Sequence, residues 1–391
     1  MKILSVNAGS SSLKFQMYEM PEETVLISGV FERIGLDNSF YTIKINGEKI
    51  KKEVTLKSHE DAVKILTEEL INYNIVKDLS EIKGVGHRVV HGGDKYADST
   101  IINKHVTDTI RELFHLAPLH NPANLMGIEA FQEYIPEAPN VAVFDTGFPQ
   151  SMPEESYTYA IPYEWTKKYG TRKYGFHGIS HEYLTETMKK ELGKEDINLI
   201  TCHLGNGSSI FAIKDGKCFD TSLGFSTNSG LVMGTRCGDI DAFLIPYIMR
   251  ETGKSLDEVV NILNKESGLL GVSGVSSDSR DIEDGIKAGN ERCILAQKLF
   301  VNRVVGYIAK LWCELQNVDA ICFAGGIGEN SIMTRKQIID KLALGITLDE
   351  EANDIRGEFR LITKEGSKIP CYIVPTDEEL MIARDTYRLI G

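Results

Sequence analysis

The 391-residue sequence lacks the features that define several classes of protein. It has no run of 18 apolar residues, so a membrane-spanning helix is not expected. Its seven cysteines are odd in number and form no CxxC pair, which argues against a disulfide framework or a zinc knuckle. The pattern GxxxxGK[ST] is absent, which excludes a P-loop. The N-terminal apolar segment is too short for a signal peptide, and we expect a cytoplasmic protein.

Positive charge is also scarce, because 43 Lys and Arg residues face 56 Asp and Glu residues, giving a formal net charge of −13. An acidic surface repels phosphate backbones and anionic headgroups, so neither nucleic acid nor a membrane is an expected partner. A small anion can still bind where cations are gathered locally. The chain exceeds the length of about 250–300 residues at which one hydrophobic core stops growing, so two domains are expected.

Two segments about 200 residues apart have the same pattern. VNAGSSSLKF (6–15) and HLGNGSSIFAI (203–213) each predict a strand, a Gly/Ser-rich turn and a second strand. Hairpins in general favour Gly and Ser, so the repeat alone leaves open whether the chain is duplicated. A duplication would give each half a turn of backbone N–H groups suited to phosphate oxygens. The alternation of strand and helix patterns around these turns predicts mixed sheets flanked by helices.

Some element boundaries can also be predicted from local patterns. Ser58 and Asp61 have capping-box spacing at the start of a helix, and Thr376 and Glu379 have the same spacing before the last helix. The stretch 282–316 is interpreted as one long helix.

Polar residues interrupt apolar strands at three positions. Lys14 shares a strand face with Ser12 and could add a positive charge beside the first Gly/Ser turn. Arg88 lies in an otherwise apolar strand, where a guanidinium needs either a carboxylate ligand or a structural Asp or Glu. Asp145 follows a buried strand, where α/β enzymes place their chemistry, although a turn cap would explain it equally.

Three further residues are candidates for function on the basis of their local sequence. His177 lies between glycines in GFHG, where its ring can either reach into a cleft or serve the fold. Arg236, in the loop GTRCGD, could lie over a transferring group. Glu378 has no structural explanation and is available for function. His87 and His91 are interpreted as core histidines.

Taken together, ten motifs in order from residue 6 to residue 386 closely resemble those of the acetate kinase family of acyl-phosphate-forming kinases. The motifs are VNAGSSSLKF, GHRVVHGG, LHNP, VFDTGFP, YGFHGISH, HLGNGSS, LVMGTRCGDID, GVSSDSRDI, AGGIGENS and TDEELMIARDT. The resemblance implies an α/β protein with the duplicated ribonuclease-H-like fold of actin and hexokinase, with two domains around a central cleft. The implied domains are residues 1–148 plus 377–391, and residues 149–376.

The resemblance also implies a role for each candidate residue. The catalytic positions are matched by Asp145, His177 and Arg236. The carboxylate substrate site is matched by Arg88, Val90, Leu119 and Phe176. The magnesium site is matched by Asn7 and Glu378. The ATP-binding positions are matched by Lys14, His203, Leu204, Gly205, Asn206, Gly207, Asp278, Ser279, Arg280, Gly326, Ile327, Gly328, Glu329 and Asn330.

The reaction implied by the resemblance is reversible transfer of the γ-phosphoryl group of ATP to acetate, giving acetyl phosphate and ADP. Mg²⁺ is the implied cofactor, with Mn²⁺ as an alternative ion, and a homodimer is the implied assembly. Acetate is already ionised at pH 7, so it needs no general base. Asp145 is therefore expected to anchor the metal or its waters, or to orient the carboxylate.

One stretch departs from the family pattern. Residues 224–230 are GFSTNSG where the family usually has GFTPLEG, and Thr227 replaces a proline that helps to wall the methyl pocket. A propionate or butyrate kinase is therefore an alternative. An actin-like switch or filament protein on the same fold would explain the two hairpins, but not Arg88, His177 and Arg236.

Overall fold

The structure is a computed structural model that describes all residues from 1 to 391. The chain divides into two compact units. The first unit comprises Met1–Gln150 and Asp377–Gly391, and the second unit comprises Ser151–Thr376. No helix in the protein has both the length and the apolar character needed to cross a bilayer.

An eight-stranded sheet forms the centre of the first unit. Its strands are β1 (Lys2–Gly9), β2 (Ser12–Glu19), β3 (Thr24–Glu32), β4 (Phe40–Ile45), β5 (Glu48–Glu53), β6 (Ile82–Val89), β7 (Thr100–Ile101) and β8 (Asn140–Phe144). The sheet is flanked by α1 (His59–Asn72), α2 (Lys104–Glu112), α3 (Asn121–Tyr134) and the C-terminal helix of the chain.

A six-stranded sheet forms the centre of the second unit. Its strands are β9 (Leu199–Leu204), β10 (Ser208–Lys214), β11 (Lys217–Thr221), β12 (Ala320–Ala324), β13 (Arg360–Leu361) and β14 (Cys371–Ile373). Its helices are α4 (Glu154–Tyr157), α5 (Tyr163–Tyr169), α6 (Gly178–Leu192), α7 (Leu244–Thr252), α8 (Leu256–Lys265), α9 (Gly268–Ser273), α10 (Ser279–Lys287), α11 (Glu291–Leu315), α12 (Gly325–Asn330), α13 (Ile332–Lys341) and α14 (Glu350–Asn353). The C-terminal helix, α15 (Glu378–Ile390), belongs to the first unit.

The two sheets follow one plan. The first contains the strand order β3-β2-β1-β6-β8, in which β1, β2 and β3 are antiparallel and β6 and β8 run parallel to β1. The second repeats this order and these directions as β11-β10-β9-β12-β14. In each sheet a short antiparallel strand, β7 or β13, completes that edge. The predicted α/β class and duplicated architecture are therefore confirmed.

Two local sequence patterns form their usual structures at element ends in the first unit. Asn46-Gly47 closes the hairpin between β4 and β5. Ser58 and Asp61 form a complete capping box at the start of α1, since each side chain accepts from the backbone N–H of the other residue.

The prediction of one long helix over residues 282–316 is wrong. The chain forms α10 and α11 instead, because Asn290 starts a new helix by accepting from the N–H groups of Arg292 and Cys293. Its side chain thus satisfies donors that the first turn of a helix leaves without partners.

The predicted cap of the last helix is also wrong. Asp377, rather than Thr376, caps α15 and accepts from the N–H of Leu380. Glu379 does not complete a capping box, and its Oε1 lies 2.6 Å from Nζ of Lys14. The acidic residue that capping was expected to explain is therefore part of an ion pair with β2.

Candidate active site

Arg88 and Asp145 form a two-pronged ion pair at one edge of the first sheet. Nη2 of Arg88 donates to Oδ2 of Asp145, and Nε donates to Oδ1 at 3.3 Å. The two residues meet because β6 and β8 are parallel neighbours, with Val89 opposite Phe144. Asp145 is 1% exposed, and a carboxylate buried to this degree needs a paired cation. Of the two partners that the sequence left open for Arg88, a ligand or an acidic residue of the protein, the structure shows the second.

Two more candidates lie beside this ion pair. Nη1 of Arg88 donates to Oδ1 of Asn7 on β1 at 3.3 Å. Burial raises the pKa of Glu378, the first residue of α15, to about 7; the charge of Arg88 opposes this rise and that of Asp145 adds to it. Burial lowers the pKa of Arg88, but Asp145 and Glu378 outweigh that effect, so the net shift is upward. The first unit therefore brings Asn7, Arg88, Asp145 and Glu378 together.

The other candidates in the first unit have different surroundings. Val90 is buried, and its N–H donates to Oδ1 of Asn124 at 3.1 Å. Leu119 is 58% exposed. Lys14, half exposed and paired with Glu379, is the one ATP-binding candidate that belongs to this unit.

In the second unit, His177 and Arg236 converge on Gly207 in the turn between β9 and β10. A methyl group added to Gly207 would lie 3.4 Å from both Nε2 and Cε1 of His177, and 3.5 Å from Nη1 of Arg236. The space that the missing side chain leaves is therefore bordered by an imidazole nitrogen and a guanidinium. Such a space suits an anionic oxygen.

Backbone and side-chain contacts both hold His177 in place. His177 is the N-cap of α6, which begins at Gly178. Its φ of 62° lies in the left-handed region, which non-glycine residues rarely adopt. Its Nδ1 lies 2.9 Å from Oγ of Ser209. The preceding residue, Phe176, is buried in the same unit.

The guanidinium of Arg236 is oriented by neutral groups. Nε donates to Oδ1 of Asn264 at 3.2 Å, and Nη1 lies 3.5 Å from the carbonyl oxygen of Thr227. No acidic side chain pairs with Arg236, and burial lowers its pKa. A partly buried cation without a counter-charge favours an incoming anion.

A cavity of about 650 Å³ in the second unit brings three of the predicted ATP-binding segments together. Its lining from these segments is Gly205, Asn206, Asp278, Ser279, Arg280, Gly326, Ile327 and Asn330. Four more lining residues that the sequence did not predict are Ser277, Glu283, Ser331 and Arg356. Asp278 forms an ion pair with Arg280. The side chain and the backbone N–H of Arg280 both donate to the Asp278 carboxylate and lower its pKa to about 2.

Several other ATP-binding candidates hold the segments in place. Oε1 of Glu329 accepts from the N–H groups of Gly325 and Thr376 at 2.8 and 3.1 Å. His203 contacts Oγ of Ser180 through Nδ1 at 2.8 Å. Leu204 is fully buried in the core, and the carbonyl of Gly328 accepts from buried Arg335.

Comparison with known proteins identifies the family. Residues 2–384 match the model of the acetokinase family. The chain belongs to the acetokinase family. It is 52% identical over 391 residues to an acetate kinase from Bacillus subtilis, covering 99% of each chain. It is also similar, over the full length of both chains, to the crystal structures of an acetate kinase from Porphyromonas gingivalis (TM-score 0.96, 43% identity) and a propionate kinase from Francisella tularensis (TM-score 0.94, 42% identity). The predicted family and fold are thus confirmed.

The oxygen donors of this acetokinase-family chain fit a divalent metal that arrives with a nucleotide. No cluster of three or more His, Cys, Asp or Glu side chains forms a preassembled metal site. Mg²⁺ characteristically takes one or two carboxylates together with waters and substrate phosphates. Glu378 suits this role, because a cation would offset the burial that raises its pKa, and the amide oxygen of Asn7 lies in the same cluster.

Motif reasoning missed residues that orient the site from outside the motifs. Asn264 belongs to the end of α8, in a stretch without a recognisable pattern. Arg356 lies in a loop far along the chain from the glycine-rich turns. Their roles depend on tertiary contacts, so no signal in a single sequence could have indicated them.

Proposed function

We propose that the protein is an acetate kinase, which reversibly transfers the γ-phosphoryl group of ATP to acetate and forms acetyl phosphate and ADP. The observation that carries this proposal is the convergence of His177 and Arg236 on the space in front of Gly207. That glycine directly follows two residues that line the large cavity of the second unit. We further propose that the two units are the two ribonuclease-H-like domains.

The acetate carboxylate binds to Arg88 in this proposal. A guanidinium carries five N–H donors, so Arg88 can hold Asp145 and still donate to a second carboxylate. One oxygen of acetate attacks the γ-phosphorus in line, and the bond between that phosphorus and the bridging oxygen breaks. ADP leaves with the electron pair. No proton needs to be removed from acetate, so Asp145 acts by holding Arg88 rather than as a base.

Repulsion between the two anionic substrates is the main obstacle to the transfer. His177 and Arg236 donate to the oxygens of the phosphoryl group as it moves, which stabilises charge in the transition state. An arginine in this role contributes on the order of 10³–10⁵ in rate. His177 should contribute less to the rate than Arg236, because a histidine can donate without carrying a full positive charge.

The divalent metal proposed for this reaction is Mg²⁺, with Mn²⁺ as an alternative ion. Asn7 and Glu378 are the residues that would hold it, as their oxygen chemistry and the raised pKa of Glu378 support. When bound, the ion neutralises charge on the phosphates of the nucleotide.

A propionate kinase is the second candidate. Thr227 replaces the pocket proline of the family, and its carbonyl contacts Arg236, so segment 224–230 adjoins a proposed catalytic group. The similarity to a propionate kinase structure supports the same alternative.

The deciding experiment measures kcat/KM for acetate, propionate and butyrate with MgATP, with hydroxylamine trapping any acyl phosphate as the hydroxamate. The highest kcat/KM with acetate is the expected result. A preference for propionate would favour the second candidate. Absence of hydroxamate with all three acids, from folded protein, would overturn the proposal of a carboxylate kinase.

We also propose a cytoplasmic homodimer. Helix α7 has no buried residue, and Phe243, Leu244 and Tyr247 expose their side chains there, with Phe243 82% exposed. An apolar patch of this kind is typical of a protein interface. All seven cysteines are free, which fits a reducing compartment. Sedimentation of the wild type and of Phe243→Glu would test the dimer, since the variant should shift towards monomer if α7 forms the interface.

A further inference from the structure

A chain of hydrogen bonds leads from the core of the second unit to His177. Oγ1 of Thr201 lies 2.6 Å from Nδ1 of His181, and Nε2 of His181 lies 2.8 Å from Oγ of Ser209. The same hydroxyl lies 2.9 Å from Nδ1 of His177. Thr201, His181 and Ser209 are fully buried, so water does not compete for these hydrogen bonds.

The few protons available to these residues restrict the direction in which the hydrogen bonds can run. Burial lowers the pKa of His181 well below its usual value, so its ring is neutral and has one donor nitrogen and one acceptor nitrogen. Ser209 has a single hydroxyl proton. If the hydroxyl proton of Ser209 is used within this chain, either every member donates towards His177, or every member donates away from it.

The two directions give His177 different tautomers. If Ser209 donates to Nδ1, the proton of a neutral His177 ring lies on Nε2. If Nδ1 of His177 donates to Ser209, a neutral ring carries no proton on Nε2. Nε2 is the nitrogen that borders the space in front of Gly207, beside Arg236.

We propose that Ser209 is a positioning residue that fixes the Nε2–H tautomer of His177, with donation running from Thr201 through His181 and Ser209. The inference rests on the proposed function, since a phosphoryl oxygen in front of Gly207 needs a donor on Nε2. The surrounding structure holds the relay rigidly. The ring of His181 stacks on Phe211 with centroids 3.8 Å apart and planes 11° apart, and the backbone of His177 is held at a left-handed φ.

The first test is independent of any variant. ¹⁵N NMR of histidine-labelled wild-type protein, near neutral pH and without substrates, should show His177 protonated on Nε2 and unprotonated on Nδ1. Protonation on Nδ1 alone would overturn the inference, because the relay would then run in the opposite direction.

The second test removes the relay at its centre. Ser209→Ala should give a mixture of His177 tautomers and lower kcat by about three- to tenfold, the loss expected for one hydrogen bond, with a smaller change in KM for ATP. Thr185→Val is the matched control, because Thr185 is equally buried but donates to the backbone carbonyl of His181 instead of its ring. The control should keep the wild-type tautomer and kcat.

A second variant guards against a failure of Ser209→Ala to fold. His181→Phe keeps a stacked ring on Phe211 but removes the donor to Ser209, while His181→Gln keeps an amide donor at the position of Nε2. The inference expects the Nε2–H tautomer to be weakened in His181→Phe and restored in His181→Gln. A folded Ser209→Ala or His181→Phe variant with the wild-type tautomer would overturn it.

The outcomes separate this inference from the proposed function. If the wild type forms no acyl phosphate but the tautomer responds as expected, the relay stands and the proposed function fails. If acetate is phosphorylated and the tautomer does not respond, the function stands and Ser209 serves only the fold.

Discussion

Replacing Gly207 with alanine tests the convergence of His177 and Arg236 directly. The new methyl group would lie 3.4–3.5 Å from the nearest atoms of both residues, which is ordinary van der Waals contact. The backbone of Gly207 does not have a left-handed φ, so alanine can adopt it without strain. The protein should therefore accept the methyl group, but the methyl group occupies the space that the proposed phosphoryl oxygen needs.

The size of the effect follows from the two contacts that would be lost. A hydrogen bond to a charged group contributes about 1.5–3 kcal/mol. Displacing the oxygen from both His177 and Arg236 would cost about 3–6 kcal/mol in the transition state, or about 10²–10⁴-fold in kcat. Stability should move the other way, since alanine in place of a compatible glycine adds about 0.4–1 kcal/mol by restricting the unfolded chain.

The assay combines hydroxamate formation from acetate and MgATP with urea denaturation of the same samples. Gly306→Ala is the matched control, because a methyl group there meets no atom within 4 Å in the middle of α11. The control should match or exceed wild-type stability and keep wild-type kcat. Only Gly207→Ala should combine intact stability with a large loss of kcat.

Two results would refute the reasoning. A Gly207→Ala variant with kcat within threefold of the wild type would show that no reacting group uses the space. A strongly destabilised variant would show that the space is not open to a methyl group. Either result removes the observation on which the proposed function depends most.

Three further predictions concern the rest of the site and the core. Arg88→Ala should mainly raise KM for acetate, which initial rates measure. The variant also leaves buried Asp145 without its cation, so denaturation should show a free energy of unfolding lower by about 3–5 kcal/mol. An effect confined to kcat would contradict this prediction. Arg236→Ala should mainly lower kcat. Asn264→Ala removes the acceptor that lies 3.2 Å from Nε of Arg236, and it should also lower kcat, by about two- to tenfold. An unchanged kcat in Asn264→Ala would show that Asn264 does not orient the guanidinium. His87 is buried with its pKa lowered to about 4, so it contributes stability above pH 6.5 that is lost as pH falls towards 4. Denaturation across this range should show that the wild type loses about 3 kcal/mol more than His87→Gln, and equal losses in the two proteins would refute it.

The closeness of Arg88 and Asp145 follows from where the two residues stand on their strands. Arg88 and Asp145 stand at the ends of apolar strands, and neighbouring parallel strands bring such ends to one edge of a sheet. The repeated Gly/Ser turns likewise have a local pattern, and the repeat in strand order explains why they recur. What the residues left open was the partner of Arg88, which depends on which acid the fold places opposite it.

The C-terminal segment shows why local patterns are insufficient for charged residues. Thr376 and Glu379 have the spacing of a capping box, yet Asp377 takes the cap and Glu379 pairs with Lys14. Two candidate caps lie one residue apart, and the local sequence gives each a comparable interaction with the first turn. The partner that Glu379 has instead is an amine on β2, more than 360 positions away in the chain, so its contact is a tertiary effect.

The glycine-rich turn at the start of α12 shows how one motif can combine unrelated requirements. Gly325 has φ 73°, and a methyl group there would lie 2.8 Å from the carbonyl oxygen of Leu204, so both the conformation and the close approach of β9 require glycine. Gly326 has neither constraint, and it faces open space on the wall of the cavity. Glu329 then bonds the N–H of Gly325, so an acidic residue matched to ATP binding acts on the backbone of the turn. The motif match assigns Gly326 and Glu329 to the nucleotide, whereas the contacts place Glu329 with Gly325 in the shape of the loop and leave Gly326 beside the cavity.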